Sequence, residues 1–247
     1  MSIGERLAER AERAFSQTKF LELAGERLAI KDYAREPGIV KWLVIKTANL
    51  AVQVYPFVLS AAARLEREAA ALRSIRRGFK TPRPRLIDYG GQLLVREYVE
   101  GDDYSRHVLD RGPSELIGRA LGELHSSGWA LGDTKATNFV ISEEGVPYLV
   151  DAEQAVEGPR PEQMAWDVLV LASTSVTRVL EADIRLLPRY RPSFEALLAS
   201  YVDALGDLAR DVARASRGLR MRVVAGLLLP YPFSFRAISA LSSGGRG

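Results

Sequence analysis

Between Leu131 and Gln154 the chain reads LGDTKATNFVISEEGVPYLVDAEQ. Two short apolar runs, FVIS and PYLV, flank Glu143, Glu144 and Gly145, the pattern of a β-hairpin around a polar turn. A hairpin returns the chain to its starting end. Asn138, just before the first run, and Asp151, just after the second, therefore become neighbours, with Asp133 in the loop that leads in. Hard oxygen donors of Asn and Asp held near one point suit Mg²⁺ that is also bound by phosphates. A duller reading stays open: Asp133 to Asn138 as a polar turn with Asx hydrogen bonds, and Asp151 as a strand-end turn residue.

The surroundings set the architecture. KFLELAGERLAIKDY has two apolar runs about Gly25 and reads as a hairpin, and TPRPRLIDYG with QLLVREYVEG reads as two more strands around Gly90 and Gly91. Between them AAARLEREAAALRSI places Leu65, Ala69 and Leu72 at helical spacing. Glu68 falls on that apolar stripe, where an ordinary surface glutamate would not. From Gly101 onward the pattern becomes helix-rich, with helices expected over Asp102 to Leu109 and after Pro113. Met164 to Ala172 is apolar on all sides apart from Asp167, the mark of a buried central helix whose lone carboxylate needs donors such as loop backbone N–H groups. The fold class is thus α+β, with a sheet-rich lobe over residues 1–100 that includes an N-terminal helix and one long helix. A mainly helical lobe covers residues 101–247.

Bulk properties exclude several classes. The 247 residues are 47% hydrophobic, enough to bury a full core. Thirty-four basic against 31 acidic residues give a net charge of +3. That is read as a slight arginine-weighted excess rather than a basic patch, and carries no direct nucleic-acid signal. With no cysteine, disulfides, thiolate metal sites and cysteine nucleophiles are ruled out, which fits a cytoplasmic location. MSIGERLAERAERAF has no apolar signal core. Two apolar stretches, 42–63 and 223–241, are interrupted by Lys46, Asn49, Gln53 and Pro56 and by Pro230, Pro232 and Arg236. Packing within a lobe or peripheral membrane contact is expected of them, not a span.

The order of these parts resembles a protein kinase over roughly residues 18 to 180. LAIK, with Ala29 and Lys31, is similar to the third-strand V-A-I-K signature; Glu68 matches its helix partner, REYVEGDDY the hinge, DTKATN the catalytic loop, and Asp151 the aspartate of D-F-G. Asp167 matches the buried aspartate of the central helix. Leu131-Gly132-Asp133 replaces H-R-D, Asp151-Ala152-Glu153 replaces D-F-G, and only 16 positions separate Asp151 from Asp167, too few for an activation segment. These departures resemble atypical small kinases: RIO-type kinases, the kinase subunit of the KEOPS complex, and lipopolysaccharide-core sugar kinases. The KEOPS-subunit likeness is strongest, through Arg67-Glu68-Ala69 and the TPRP approach, although the leading His of its H-G-D is absent.

The resemblance implies roles. Lys31, paired with Glu68, holds the α- and β-phosphates of ATP; Asn138 and Asp151 bind Mg²⁺; Asp133 orients or deprotonates the nucleophile; Lys135 offsets charge on the γ-phosphoryl. Ala29 and the backbone of Glu97 and Val99 meet adenine, with Asp102 or Asp103 near the ribose. The acceptor is water, a small molecule or a dedicated protein partner. Two features depart further: FSQTKF stands where a glycine-rich loop would, and Arg96 precedes the hinge, where pairing with Glu68 or Asp151 would compete with Lys31. A nucleotide-binding pseudokinase-like module and a lipid or sugar kinase at the membrane surface remain as alternatives. The histidines, His107 and His125, are read as surface or packing residues.

Overall fold

The computed structural model describes residues 18–23, 25–34 and 53–243. The expected N-terminal helix, the start of FSQTKF and the first part of the 42–63 stretch, Lys46 included, lie outside them. Strands β1 (Thr18–Leu23) and β2 (Glu26–Asp32) form the first hairpin, and β3 (Pro84–Asp88) and β4 (Leu93–Glu97) the second. They join as an antiparallel sheet in the order β1-β2-β4-β3. Side chains alternate across a strand, so Ala29 and Lys31 share one face of β2, and both are buried there.

Helix α1 (Ala61–Ser74) starts at Ser60, whose hydroxyl accepts the N–H of Ala63 at 3.2 Å. Leu65 and Leu72 pack with Tyr33 and Leu94 in a small core under the sheet. Arg64 and Glu68 are buried on the same helix. Ala71 and Ile75 join a much larger core that runs through the helical lobe and also takes in Val54 and Tyr55. The helix that the sequence suggests over Asp102 to Leu109 is instead strand β5 (Asp102–Asp103), paired with Ile141 and Val140, followed by a 3₁₀ turn, Tyr104–Arg106. Asp103 explains the difference: its carboxylate accepts the N–H of Ser105 at 3.1 Å, and a local cap of this kind competes with a helix.

Helix α2 (Arg111–Ser126) begins two residues before Pro113 rather than after it. The hairpin of β7 (Phe139–Ile141) and β8 (Pro147–Leu149) forms as expected. Strand β6 (Trp129–Ala130) pairs with β9 (Val156–Glu157), which leads directly into α3 (Pro161–Ala182). Every residue of α3 from Met164 to Ala172 is buried. Helices α4 (Leu187–Ala204), α5 (Ala209–Arg217), α6 (Leu219–Leu228) and α7 (Phe233–Ser243) complete the lobe. Among the described residues no helix is long and apolar enough to cross a membrane. This is the α+β, bilobal, protein-kinase-like arrangement: a small antiparallel sheet with one long helix, then a mainly helical lobe.

α2 and α4 cross at Gly118, where a Cβ would lie 2.2 Å from the carbonyl oxygen of Leu197. Backbone cannot yield as a side-chain tip can. Gly118→Ala is therefore expected to destabilise the chain by about 1–3 kcal/mol, read from the midpoint of denaturant unfolding.

Candidate active site

Register brings Lys31 beneath α1 and against the end of the 139–149 hairpin. Its Nζ lies 2.8 Å from Glu68 Oε2, 2.9 Å from Asp151 Oδ1 and 3.1 Å from Glu153 Oε2. Burial alone would lower the Lys31 pKa, but Asp151 and Glu68 outweigh it and hold the ammonium well above its usual range. Burial pushes Glu68 up, against the pull of Lys31. For Asp151 burial also pushes up, but Lys31 beside it prevails and the carboxyl sits below the ordinary range. The Lys31–Glu68 pair expected from sequence is therefore formed, with Asp151 joined to it.

The second half of the site is the loop from Leu131 to Asn138. Asp167 on α3 accepts the N–H groups of Leu131 at 2.6 Å and Gly132 at 2.7 Å, and His125 Nε2 lies 3.1 Å from the same carboxylate. The buried aspartate thus finds loop donors, and His125 is a buried packing residue that also meets the Tyr201 hydroxyl. Gly132 has φ +73°, and a Cβ there would lie 2.3 Å from the ring of Tyr55, so only glycine fits. Clamped in this way, the loop presents Asp133, whose Oδ2 lies 2.7 Å from Lys135 Nζ. Asp133 Oδ1 is buried and has no hydrogen-bond partner among the described residues. Burial, with Asp151 and Glu153 adding to it and Lys135 opposing, raises its carboxyl to about 6. Asp151 and Glu153 also act on Lys135. The 131–138 loop and the lysine cluster therefore act on one another electrostatically.

Asn138 is held by its amide nitrogen, which donates to the carbonyl of Asp133 at 2.8 Å, while its own carbonyl accepts the N–H of Val150 at 2.9 Å. The hairpin thus sets Asn138 beside the residue preceding Asp151, as the opening motif requires. What remains for a ligand is the amide oxygen of Asn138 and the second carboxylate oxygen of Asp151, whose Oδ1 is taken by Lys31 and the N–H of Glu153. These hard oxygens fit Mg²⁺. Glu68, Asp151 and Glu153 also offer oxygens within 4.8 Å of one another, but the Lys31 ammonium already sits among them and balances their charge.

Along the hinge, Ala29 is buried opposite Arg96, and Glu97 ends β4 with its N–H on the carbonyl of Arg83 at 3.0 Å. Val99 follows in the half-buried connection to β5. Asp102 and Asp103 are engaged locally, by Arg106 at 2.8 Å and by Ser105. The competition expected of Arg96 does not occur. Arg96 makes no ion pair with Glu68 or Asp151; its Nη2 donates to the carbonyl of Val150 at 2.7 Å, tying β4 to the hairpin, and its charge still favours the Glu68 carboxylate.

Three residues of the cluster were not anticipated. Tyr33 donates its hydroxyl to Glu68. Glu153 stands where D-F-G has glycine and pairs with both Lys31 and Arg64. Arg64 lies four residues before Glu68 on the same face of α1, a spacing that signals a shared environment. Behind them Gln154 is locked to the segment before α1: its side chain exchanges hydrogen bonds with the N–H and carbonyl of Val58 at 2.9 and 3.0 Å, and its carbonyl accepts from the Tyr55 hydroxyl at 3.0 Å.

A buried lysine–glutamate pair between sheet and helix, joined to an aspartate at the end of a hairpin, with only a short connection into α3, resembles the site of atypical small protein kinases. No family model matches the chain. Among curated proteins it is similar to KEOPS complex subunit Bud32 of Pyrococcus abyssi (strain GE5 / Orsay), 27% identical over 168 residues that cover 64% of this chain and 72% of that protein.

Proposed function

We propose that the chain is an ATP–Mg²⁺-dependent phosphotransferase or ATPase, with residues 1–100 and 101–247 as its two lobes and the nucleotide between them. One observation carries this reading. The two halves of the site, Lys31 with Glu68 and Asp133 with Lys135, share Asp151, which pairs with Lys31 at 2.9 Å and whose charge acts on both Asp133 and Lys135. Lys31 is positioned to hold the α- and β-phosphates, Asn138 and Asp151 to bind magnesium, and Ala29 with the backbone of Glu97 and Val99 to meet adenine. Bound magnesium supplies charge neutralisation on the phosphates. Asp133, with one oxygen fixed by Lys135 and the other unpartnered, is suited to accept a proton from, or to orient, the attacking hydroxyl or water. A buried carboxylate oxygen left without a donor costs about 1–3 kcal/mol, which a hydroxyl at that position would recover. Lys135 would balance charge on the transferring phosphoryl.

The relative's printed name places it in a protein complex, and this supports a dedicated protein partner as acceptor alongside water or a small molecule. A peptide is a poor candidate. β9 runs straight into α3, leaving no platform on which an extended peptide could be held in line with the γ-phosphoryl. Phosphate release from Mg·ATP should be slow but measurable and should vanish in the Asp151→Asn variant, while arrays of unrelated Ser/Thr peptides stay unlabelled. Absence of any turnover with nucleotide still bound would favour the pseudokinase-like module, and robust labelling of many peptides would overturn the substrate reading.

A further inference from the structure

The charge of the chain is not spread evenly. From Val212 to the C-terminus there are six arginines and no acidic residue, so the excess of +3 over the whole sequence resides there and the remainder is net acidic. Five of the six lie on α5, α6 and α7, where Arg214 pairs with Asp211 and Arg236 with Glu195, while Arg217, Arg220 and Arg222 make no ion pair among the described residues. On α6, Met221, Val224 and Ala225 face the core. The opposite face carries Leu219, Val223 and Leu227, spaced by four so that they form one outward stripe. At 100° per residue, Arg220 and Arg222 fall on the two sides of that stripe, and both are exposed. Leu219 is 77% exposed and Leu227 60%; on the Arg222 side of α6, Tyr231 at 84% and Phe235 at 68% are exposed beside a groove shared with Arg217, Arg222 and Gly226. Single exposed apolar side chains are ordinary, but an outward aliphatic stripe bordered by arginines, with two exposed aromatic residues on the far side of one of them, is not.

We infer that the α6–α7 face is a docking surface for an anionic lipid bilayer, lying on the membrane rather than crossing it. Charge complementarity selects this occupant. An apolar row bordered by arginines on both sides matches a surface that is negative at headgroup depth and apolar just beneath. A neutral apolar partner would leave the arginines uncompensated. The arginine stems reach upward while their guanidinium groups stay with the phosphates, and Leu219, Leu227, Tyr231 and Phe235 enter the interface. α6, at 10 residues, is far too short to span. The catalytic reading is not needed for this surface, and none of its residues contributes to the site of Lys31 and Asp133.

The test is flotation of the full chain with vesicles of phosphatidylcholine alone and of phosphatidylcholine mixed with phosphatidylglycerol. Binding is expected to the mixed vesicles only and to weaken as salt is raised. Two double variants separate the forces: Arg220→Glu with Arg222→Glu removes the charge, and Leu227→Ser with Phe235→Ser removes the apolar contact. Each should lower binding at least about tenfold, the first by losing attraction to the anionic headgroups and the second by losing apolar insertion. All four positions are exposed, so thermal unfolding and nucleotide turnover in the absence of vesicles should match the parent. Failure to float with anionic vesicles would overturn the inference, as would equal flotation of parent and variants. Concentration-dependent dimerisation lost in the same variants, without lipid binding, would assign the face to a second copy of the chain instead.

Discussion

Asp133→Asn is expected to lower turnover on the order of 10³-fold while leaving nucleotide binding within a small factor of the parent. The substituted group touches no phosphate in the proposed arrangement; it faces the nucleophile, with Oδ2 anchored by Lys135 and Oδ1 buried and unpartnered. The pH profile carries the same assignment. With its pKa raised to about 6, the group is protonated and unable to accept a proton below that value. In the parent, kcat/KM should therefore rise with pH through about 6, and the variant should lack that limb. Stability should move the other way. A carboxyl whose folded pKa lies above its unfolded value contributes stability that is present below pH 4 or so and lost as pH rises through 6. The asparagine variant escapes that loss and should unfold no more easily than the parent at neutral pH. Unchanged turnover in Asp133→Asn would remove this residue from the chemistry.

Lys31→Met should be damaging for a different reason. In this chain the lysine serves three carboxylates, and all but that of Asp151 are almost completely buried. Removing it leaves Glu68, Asp151 and Glu153 crowded together with only the charges of Arg64, Arg96 and Lys135 to offset them, and breaking a buried ion pair in this manner costs about 3–5 kcal/mol. The loss should be read first as a fall in the unfolding midpoint and only then as lost nucleotide binding. It should shrink as pH is lowered, because protonating the carboxylates relieves their repulsion. Adding Glu153→Gln to the methionine variant should recover part of the stability, a coupling that a double-mutant cycle measures directly. Full additivity would show that Glu153 and Lys31 act independently despite their contact.

What was legible in the sequence follows the range of the interactions involved. The 139–149 hairpin, the inward-facing Glu68 and the buried Asp167 announce themselves through local period and turn chemistry, and the structure keeps all three. Glu153 did not, because two positions after Asp151 it reads only as a departure from D-F-G. Its meaning depends on Lys31 and Arg64, which are 122 and 89 residues away. Arg64 was accessible in principle, four residues before Glu68 on one helix face. Arg96 was placed correctly on the strand before the hinge, but its partner is a main-chain carbonyl, which no side-chain pattern reveals. The lock between Gln154 and Val58 is likewise side chain to backbone. The expected helix over Asp102 to Leu109 failed for a local reason, the Asp103 cap, which does leave a trace in sequence: an aspartate two residues before a serine.

The central claim is that Asn138 and Asp151 bind magnesium together with the phosphates of ATP. It is tested most directly by thermal unfolding with ATP in the presence of Mg²⁺ and in the presence of a chelator. A ligand at a hundred times its Kd stabilises the folded state by about 2.7 kcal/mol, a shift of several degrees for a lobe of this size. The parent should show that shift with Mg·ATP and little of it without metal, and Asp151→Asn should respond alike in both conditions while remaining folded. An equal shift with and without metal in the parent, or none in either, would contradict the account.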